Sequence, residues 1–291
     1  MKFENHIVPF QLANNEVRGM IVRFDSTVYQ IIKRHNYPSN LESLLADTLT
    51  ITACLGSRMK HDGVFTIQAK GTGPVHTLFA DITNNGFLRG YVGYDKDLIN
   101  KDFNLLPLMG SGHISFTLDQ GKFSKRYQGI VALDAESISK ATELYFTNSE
   151  QLETKFSTFN YYDIKENDRI NLYPAGLIML QKMPMKDKFS DETNKESWDL
   201  SINFLSTLKK EEFLSTKLSS EDILYRLFHE IGVTTYDQII IKDQCRCSQD
   251  KVDFAINNLD KIELDQIADA NGNIKVVCEF CKIERSFSRP N

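Results

Sequence analysis

The sequence predicts an α+β protein in three parts. An N-terminal domain of antiparallel sheet and helices spans residues 1–185, a helical linker spans 186–240, and a small four-cysteine module spans 241–291. Three observations carry this. Helical and two-residue periodicities alternate as far as Pro184, strand patterning stops beyond it, and four of the five cysteines fall in the last 47 residues. A chain of 291 residues, 41% hydrophobic and 25% charged, is long enough for a full core plus a smaller module.

From Ser26 to Lys60 the apolar spacing is helical: Val28, Ile31, Ile32 and His35 share one face, Pro38 interrupts, and Leu41, Leu44, Leu45, Thr48 and Leu49 resume it. Two helices are expected. The period then becomes two in "VFTIQAKG", with Phe65, Ile67 and Ala69 on one side, as a half-buried strand requires. Asn85-Gly86 and Gln120-Gly121 each sit between β-rich runs and predict hairpins, hence an antiparallel meander. A helix across Ser137 to Ser149 and strands in "FSTFNYYDI" and "RINLYPAGLIMLQKMP" complete the domain.

After Pro184 the chain is charged and Ser/Thr-rich. Trp198, Ile202, Leu205 and Leu208 form one narrow apolar stripe, and Ile223, Leu224, Leu227 and Phe228 another, the second capped by Ser219 or Ser220 and stopped by Gly232. Helices with such stripes have no core of their own and need an apolar surface, for which the outer face of the β-rich domain is nearest. Two readings stand: an ordinary interdomain linker, or a detachable cover. No internal repeat or low-complexity tract is present.

The N-terminus has no apolar signal region and no stretch approaches the ~18 apolar residues that span a bilayer, so a cytoplasmic protein without membrane partners is expected. A net charge of −5, with the signs mixed along the chain, argues against nucleic acid as a partner.

The cysteine spacing is Cys245-x-Cys247, thirty residues, then Cys278-x-x-Cys281. In a reducing compartment such pairs serve more often as metal ligands or redox sensors than as structural disulfides. Two close pairs separated by a helix-sized insert suit a tetrahedral zinc site, one zinc per chain, with each pair gripping from one turn. The alternative is four free or disulfide-bonded cysteines. Val252, Ala255, Ile256 and Leu259 suggest a short helix in the insert, and Asn271-Gly272 a turn into the strand "NIKVVC". A module of about 50 residues buries little, whereas structural zinc supplies ~10–16 kcal/mol of apparent binding free energy.

Four thiolates close the coordination sphere, which disfavours hydrolytic zinc chemistry and leaves no catalytic residue to name. The site is either purely structural or a switch, since oxidised thiols no longer hold a metal. None of the six histidines, His229 included, lies between the cysteines. Cys54 reads as a small buried hydrophobe. Gly71-Thr72-Gly73 leads to Pro74 and another strand, so a dinucleotide-binding turn fails, and "GSGH" from Gly110 reads as a loop.

Across nearly its whole length the chain resembles the heat shock protein 33 chaperones. The resemblance rests on "HDGVFTIQAKGTGPV", "RYQGIV", "YFTNSEQ", "ILYRLFHEIGV" followed by "YD", and "CRCS" with "CEFC". It implies an N-terminal α+β domain, a metastable helical linker and a C-terminal zinc domain, with Cys245, Cys247, Cys278 and Cys281 as ligands when reduced. On oxidation it implies the disulfides Cys245–Cys247 and Cys278–Cys281. It further implies a non-enzymatic, ATP-independent holdase whose partners are unfolding client proteins, and a homodimer on activation. The chain departs from the family after the last cysteine, where Lys282 replaces the usual Gly at a turn with φ > 0, and after "CRCS", where Gln249 and Asp250 stand.

Two other functions compete. A disulfide oxidoreductase would use C-x-x-C catalytically, but that chemistry usually sits at a helix start in a βαβ setting, and this pair follows a strand. A zinc-ribbon adaptor for nucleic acid is opposed by the acidic balance.

Overall fold

The computed structural model describes residues 5–12, 16–59, 61–99, 104–121, 126–161, 174–184, 188–269 and 272–288, in two compact units, Met1–Asp243 and Gln244–Asn291. The domain limit expected at 185/186 lies outside the described residues. So do the 122–125 part of the second hairpin, the strand ends at 162–164 and 169–173, and Asn271.

In chain order the first unit contains β1 (His6–Leu12), β2 (Val17–Phe24), α1 (Ser26–Lys33), α2 (Ser39–Gly56), β3 (Val64–Gly71), β4 (Val75–Thr83), β5 (Phe87–Tyr94) and α3 (Leu105–Met109). It continues through β6 (Gly112–Asp119), β7 (Tyr127–Ala132), α4 (Ile138–Tyr145), a π-helical turn (Phe146–Glu150), β8 (Thr154–Asn160) and β9 (Ala175–Lys182). Last come α5 (Lys188–Ser206), α6 (Lys210–Phe213), α7 (Ser220–Phe228), β10 (Val233–Thr235), β11 (Ile239–Ile240) and β12 (Lys242–Asp243).

These strands make two sheets. One runs β10-β1-β2-β9-β8, with β11 also on β1, and the other runs β12-β5-β4-β3-β6-β7. The expected meander is the second sheet, and Gly86 turns its first hairpin at φ +76. Between the sheets lies α2, which packs on β3, β4 and β5 and also on β2, β8 and β9. Its sequence explains the placement, because a helix apolar on nearly all sides belongs in a core. The hydroxyls of Thr48 and Thr52 donate to main-chain oxygens one turn back, at 2.6 and 2.7 Å, so neither is buried unpaired. Cys54 is fully buried beside the sulfurs of Met20 and Met179, and burial raises its thiol pKa, as an inert core residue requires.

The first sheet is apolar on both faces. Ile7, Met20, Val22, Leu177 and Met179 turn toward α2, whereas Val8, Phe10, Leu12, Ile178 and Leu180 turn the other way into a second cluster. That outer face is roofed by α5, α6 and α7. Trp198, Leu205 and Leu208 are buried on it, as are Ile223, Leu224, Leu227 and Phe228, and Ile202 is partly buried there. Phe228 stacks on Phe10 at 5.9 Å between ring centroids. The sequence stripes omit Phe213 of the four-residue α6 and Leu214 just after it, and Phe213 adds the stacked pair Phe159–Phe213 at 4.2 Å. Ser219 is the cap of α7, its side chain and that of Asp222 closing a capping box.

Helix ends at Phe228. From there to Asp243 the chain runs as short strands, β10 and β11 antiparallel to β1 and β12 parallel to β5. The expected helical linker through 240 is therefore strand over its last stretch. Strands of two or three residues carry no period to read. β1 and β2 escape pattern reading for another reason: Pro9 and Gly19 interrupt runs that are apolar on both faces. Gly19 is required by packing, since a Cβ there would sit 2.2 Å from the Phe10 ring.

Candidate metal centre

The second unit comprises α8 (Gln249–Asn257), α9 (Lys261–Ile267) and a hairpin of β13 (Asn273–Val277) and β14 (Glu284–Ser288). The first cysteine pair ends where α8 begins, because Ser248 caps that helix by accepting from the Lys251 amide. The helix expected from Val252 to Leu259 is α8. The strand expected in "NIKVVC" is β13, entered through Gly272 at φ +77. α9 was not expected from the sequence, although its capping box of Asp260 and Glu263 is a legible start signal.

The second cysteine pair occupies the turn between β13 and β14. The Lys282 amide donates to the Cys278 carbonyl oxygen at 2.8 Å, and the Cys278 amide donates to that of Ile283 at 3.1 Å. To close this turn Lys282 takes φ +56, the left-handed backbone expected where Gly is usual. Its ammonium donates to Glu279 at 2.7 Å.

The two turns bring four thiols together. All four Sγ atoms lie within 4.8 Å of one another, with Cys245–Cys278 at 3.7 Å and Cys247–Cys281 at 3.4 Å. A tetrahedron of sulfurs about 2.3 Å from zinc has edges of roughly 3.8 Å, so donor type, count and spacing fit one zinc ion. Disulfide sulfurs lie at about 2.05 Å, and all five cysteines are free thiols here. Both of these approaches join one turn to the other.

Without a cation the cluster favours protons. Burial, then hydrogen bonds from Cys281, Cys245 and Cys278, push the Cys247 thiol up to about 12, and burial raises Cys281 as well. Four crowded sulfurs of this kind give up their protons most readily to a metal. Among the described residues no other group of three or more His, Cys, Asp or Glu ligand atoms could surround an ion.

Little else holds this unit. Its buried apolar side chains among the described residues are Ile256 and Ile274, while Phe254 is 74% and Ile262 70% exposed. Cys278 and Cys281 lie in a hairpin turn, not at a helix N-terminus where a C-x-x-C thiol is activated for exchange. No helix of the described residues is long and apolar enough to cross a membrane.

Comparison with known proteins agrees with this architecture. The model of a family described as Hsp33 protein matches residues 5–288. The 33 kDa chaperonin of Caulobacter vibrioides is 31% identical over 278 residues, covering 94% of this chain and 91% of that protein. The 33 kDa chaperonin of Pseudomonas savastanoi pv. phaseolicola is 33% identical over 273 residues, covering 94% and 87%. The crystal structure of a 33 kDa chaperonin from Thermotoga maritima has the same fold, with a TM-score of 0.80, 24% identity and coverage of 98% of this chain and 95% of that one.

Proposed function

The chain belongs to the Hsp33 family of chaperones, and from that premise we propose that it is a redox-regulated, ATP-independent holdase acting in the cytoplasm. The observation that supports this most is the pairing of two features in one chain: a four-thiol cluster in a unit with almost no core, and an apolar sheet face roofed by narrow-striped helices.

In the reduced state Cys245, Cys247, Cys278 and Cys281 hold one zinc ion. Zinc, when bound, keeps the sulfurs as thiolates and cross-links the two turns that carry them. Peroxide oxidises these thiols pairwise: each disulfide that forms sends two electrons to one peroxide, whose O–O bond breaks to give two waters with protons from the thiols or solvent. The pairs formed are Cys245–Cys247 and Cys278–Cys281. Sulfurs joined this way no longer serve as ligands, and a unit whose described residues include two buried apolar side chains does not stay folded on packing alone.

The unfolded unit begins one residue after β12, so the segment from α5 to β12 is then followed by a loose chain end. The roof then lifts. Side chains such as Leu205 and Phe228 each contribute about 1.5–3 kcal/mol when buried, and their loss to water is offset when both apolar faces take up an unfolding client or a second copy of the chain. Homodimerisation on activation follows.

The test is suppression of a heated client's aggregation by reduced and by peroxide-treated protein. Suppression confined to the oxidised form supports the proposal. Equal suppression by the reduced, zinc-loaded form would remove the switch and leave a structural zinc site.

A further inference from the structure

Three of the stretches that carry the family resemblance have no part in the thiol switch. "HDGVFTIQAKG" supplies His61 and Phe65, "RYQGIV" supplies Tyr127 and Gly129, and "YFTNSEQ" supplies Tyr145, Phe146 and Glu150. They meet around one open cavity in the first unit, of about 430 Å³, within the roughly 300–1,000 Å³ typical of small-molecule sites.

The cavity has an apolar wall and a polar end. Leu55, Met59, Phe65, Phe116, Leu118 and Phe146 provide the wall. At the polar end the Tyr127 and Tyr145 hydroxyls donate to the same oxygen of Glu150, at 2.6 and 2.5 Å, and lie 3.1 Å apart. Both phenol hydrogens are thus used on the carboxylate. Burial, with Glu150 and Tyr127 as partners, raises the Tyr145 pKa and keeps it a donor. At this end the carboxylate and phenol oxygens offer lone pairs and negative charge beside aromatic faces. Among the described residues no cationic side chain forms an ion pair with Glu150, although Arg58 and His61, both exposed, also line the cavity.

The backbone is shaped to hold this arrangement. Glu150 is delivered by a π-helical turn that ends in Gln151 at φ 55, a left-handed conformation for a residue with a side chain. Tyr145 is seated against Gly129, where a Cβ would lie 2.3 Å from its ring, and stacks on Phe116 at 4.5 Å. π-Helical turns and left-handed residues with side chains are both frequent at functional sites.

We propose that this cavity binds a small organic cation, an amine or guanidinium head set against the Glu150 carboxylate with an apolar or aromatic body between Met59, Phe65 and Phe146. Aromatic faces beside a carboxylate attract such a head and penalise an anion of the same shape.

The full-length, thiol-reduced protein is titrated by calorimetry with 2-phenylethylamine, 2-phenylethanol and 3-phenylpropionate, which share a body and differ in head charge. The amine is expected to bind saturably at millimolar concentration, about tenfold or more tighter than either analogue. Glu150→Gln is expected to erase that preference. Met59→Trp fills the cavity from a half-buried position without touching Glu150 and is expected to abolish binding, so the test stands even where the first variant folds poorly. Binding of the amine no tighter than the carboxylate, no saturable binding at all, or undiminished binding by Met59→Trp overturns the proposal.

Discussion

The Arg23 guanidinium, buried in β2, donates to the carbonyl oxygen of Leu218 at 2.6 Å and so ties the turn before α7 to the sheet beneath it. A second donation reaches the Ser215 carbonyl oxygen at 2.7 Å, and the group lies over the Phe213 ring. Burial lowers the Arg23 pKa to about 10 against the attraction of Glu221 and Asp222, so it stays charged at neutral pH. Arg23→Ala strips both carbonyls of a donor, at about 1–3 kcal/mol for each left buried and unpaired. Faster hydrogen exchange across 198–228 and chaperone activity at lower oxidant are the expected results. Unchanged exchange there would show that Arg23 does not fasten the roof.

The same roof is expected to open before the second sheet in the unaltered protein. Its apolar stripes are narrow, whereas β3 pairs on both sides with β4 and β6. Amide exchange from Trp198 to Phe228 should therefore outpace that from Val64 to Lys70. Equal protection would contradict a detachable cover.

Asp47 on α2 gives a pH dependence. Burial raises its carboxyl from 3.8 to about 6, against donation from Asn160 at 2.6 Å, a weaker one from Thr158, and the charge of Lys210 in α6. A folded-state pKa above the unfolded one means that the folded state holds the proton more tightly. Its contribution is full below pH 3.8 and is lost as pH rises through about 6. The rise corresponds to about 3 kcal/mol. Asp47→Asn is expected to raise stability at neutral pH by about 1–3 kcal/mol and to leave it nearly unchanged in acid. Denaturant unfolding at both pH values checks this, and destabilisation at neutral pH would show that the ionised carboxylate is needed.

Much of this was legible in the sequence, for physical reasons. The cysteine pairs could be read because ligand spacing is local, and α2 and the meander because their periods persist over many residues. β10 to β12 could not, since pairing with β1 and β5 is decided by residues more than 200 and 150 positions away respectively. Phe213 was missed because a single-turn helix has no repeat. The thiol cluster is assembled from two individually weak signals, a C-x-C before a capped helix and a C-x-x-C in a hairpin turn. The aromatic cavity leaves no spacing signature, because its walls come from five separate segments.

Lys282 offers a gain-of-affinity test. A left-handed non-glycine residue carries roughly 1–2 kcal/mol of strain, part of which Gly returns as unfolded-chain entropy. The surface contact with Glu279, whose side chain is 63% exposed, adds little. Lys282→Gly is expected to hold zinc about threefold to tenfold tighter in chelator competition. Weaker retention would assign the turn to the Lys282–Glu279 contact.

Metal analysis separates ligands from bystanders. Cys281→Ser removes one of the four clustered thiols and is expected to lose most zinc affinity, while Cys54→Ser, deep in the core between two methionine sulfurs, is expected to keep it. Full zinc content in Cys281→Ser would refute the four-cysteine site.

The account turns on whether oxidation of the thiols lifts the roof, and the chain carries its own reporter: Trp198, its single tryptophan, is 8% exposed on the outer face of the first sheet. The direct measurement follows Trp198 emission, zinc release and client aggregation in one peroxide time course under mild heat. A red shift of the emission that keeps pace with zinc release, and precedes or accompanies suppression of aggregation, is the predicted result. Zinc release and client binding with the emission unmoved would contradict it.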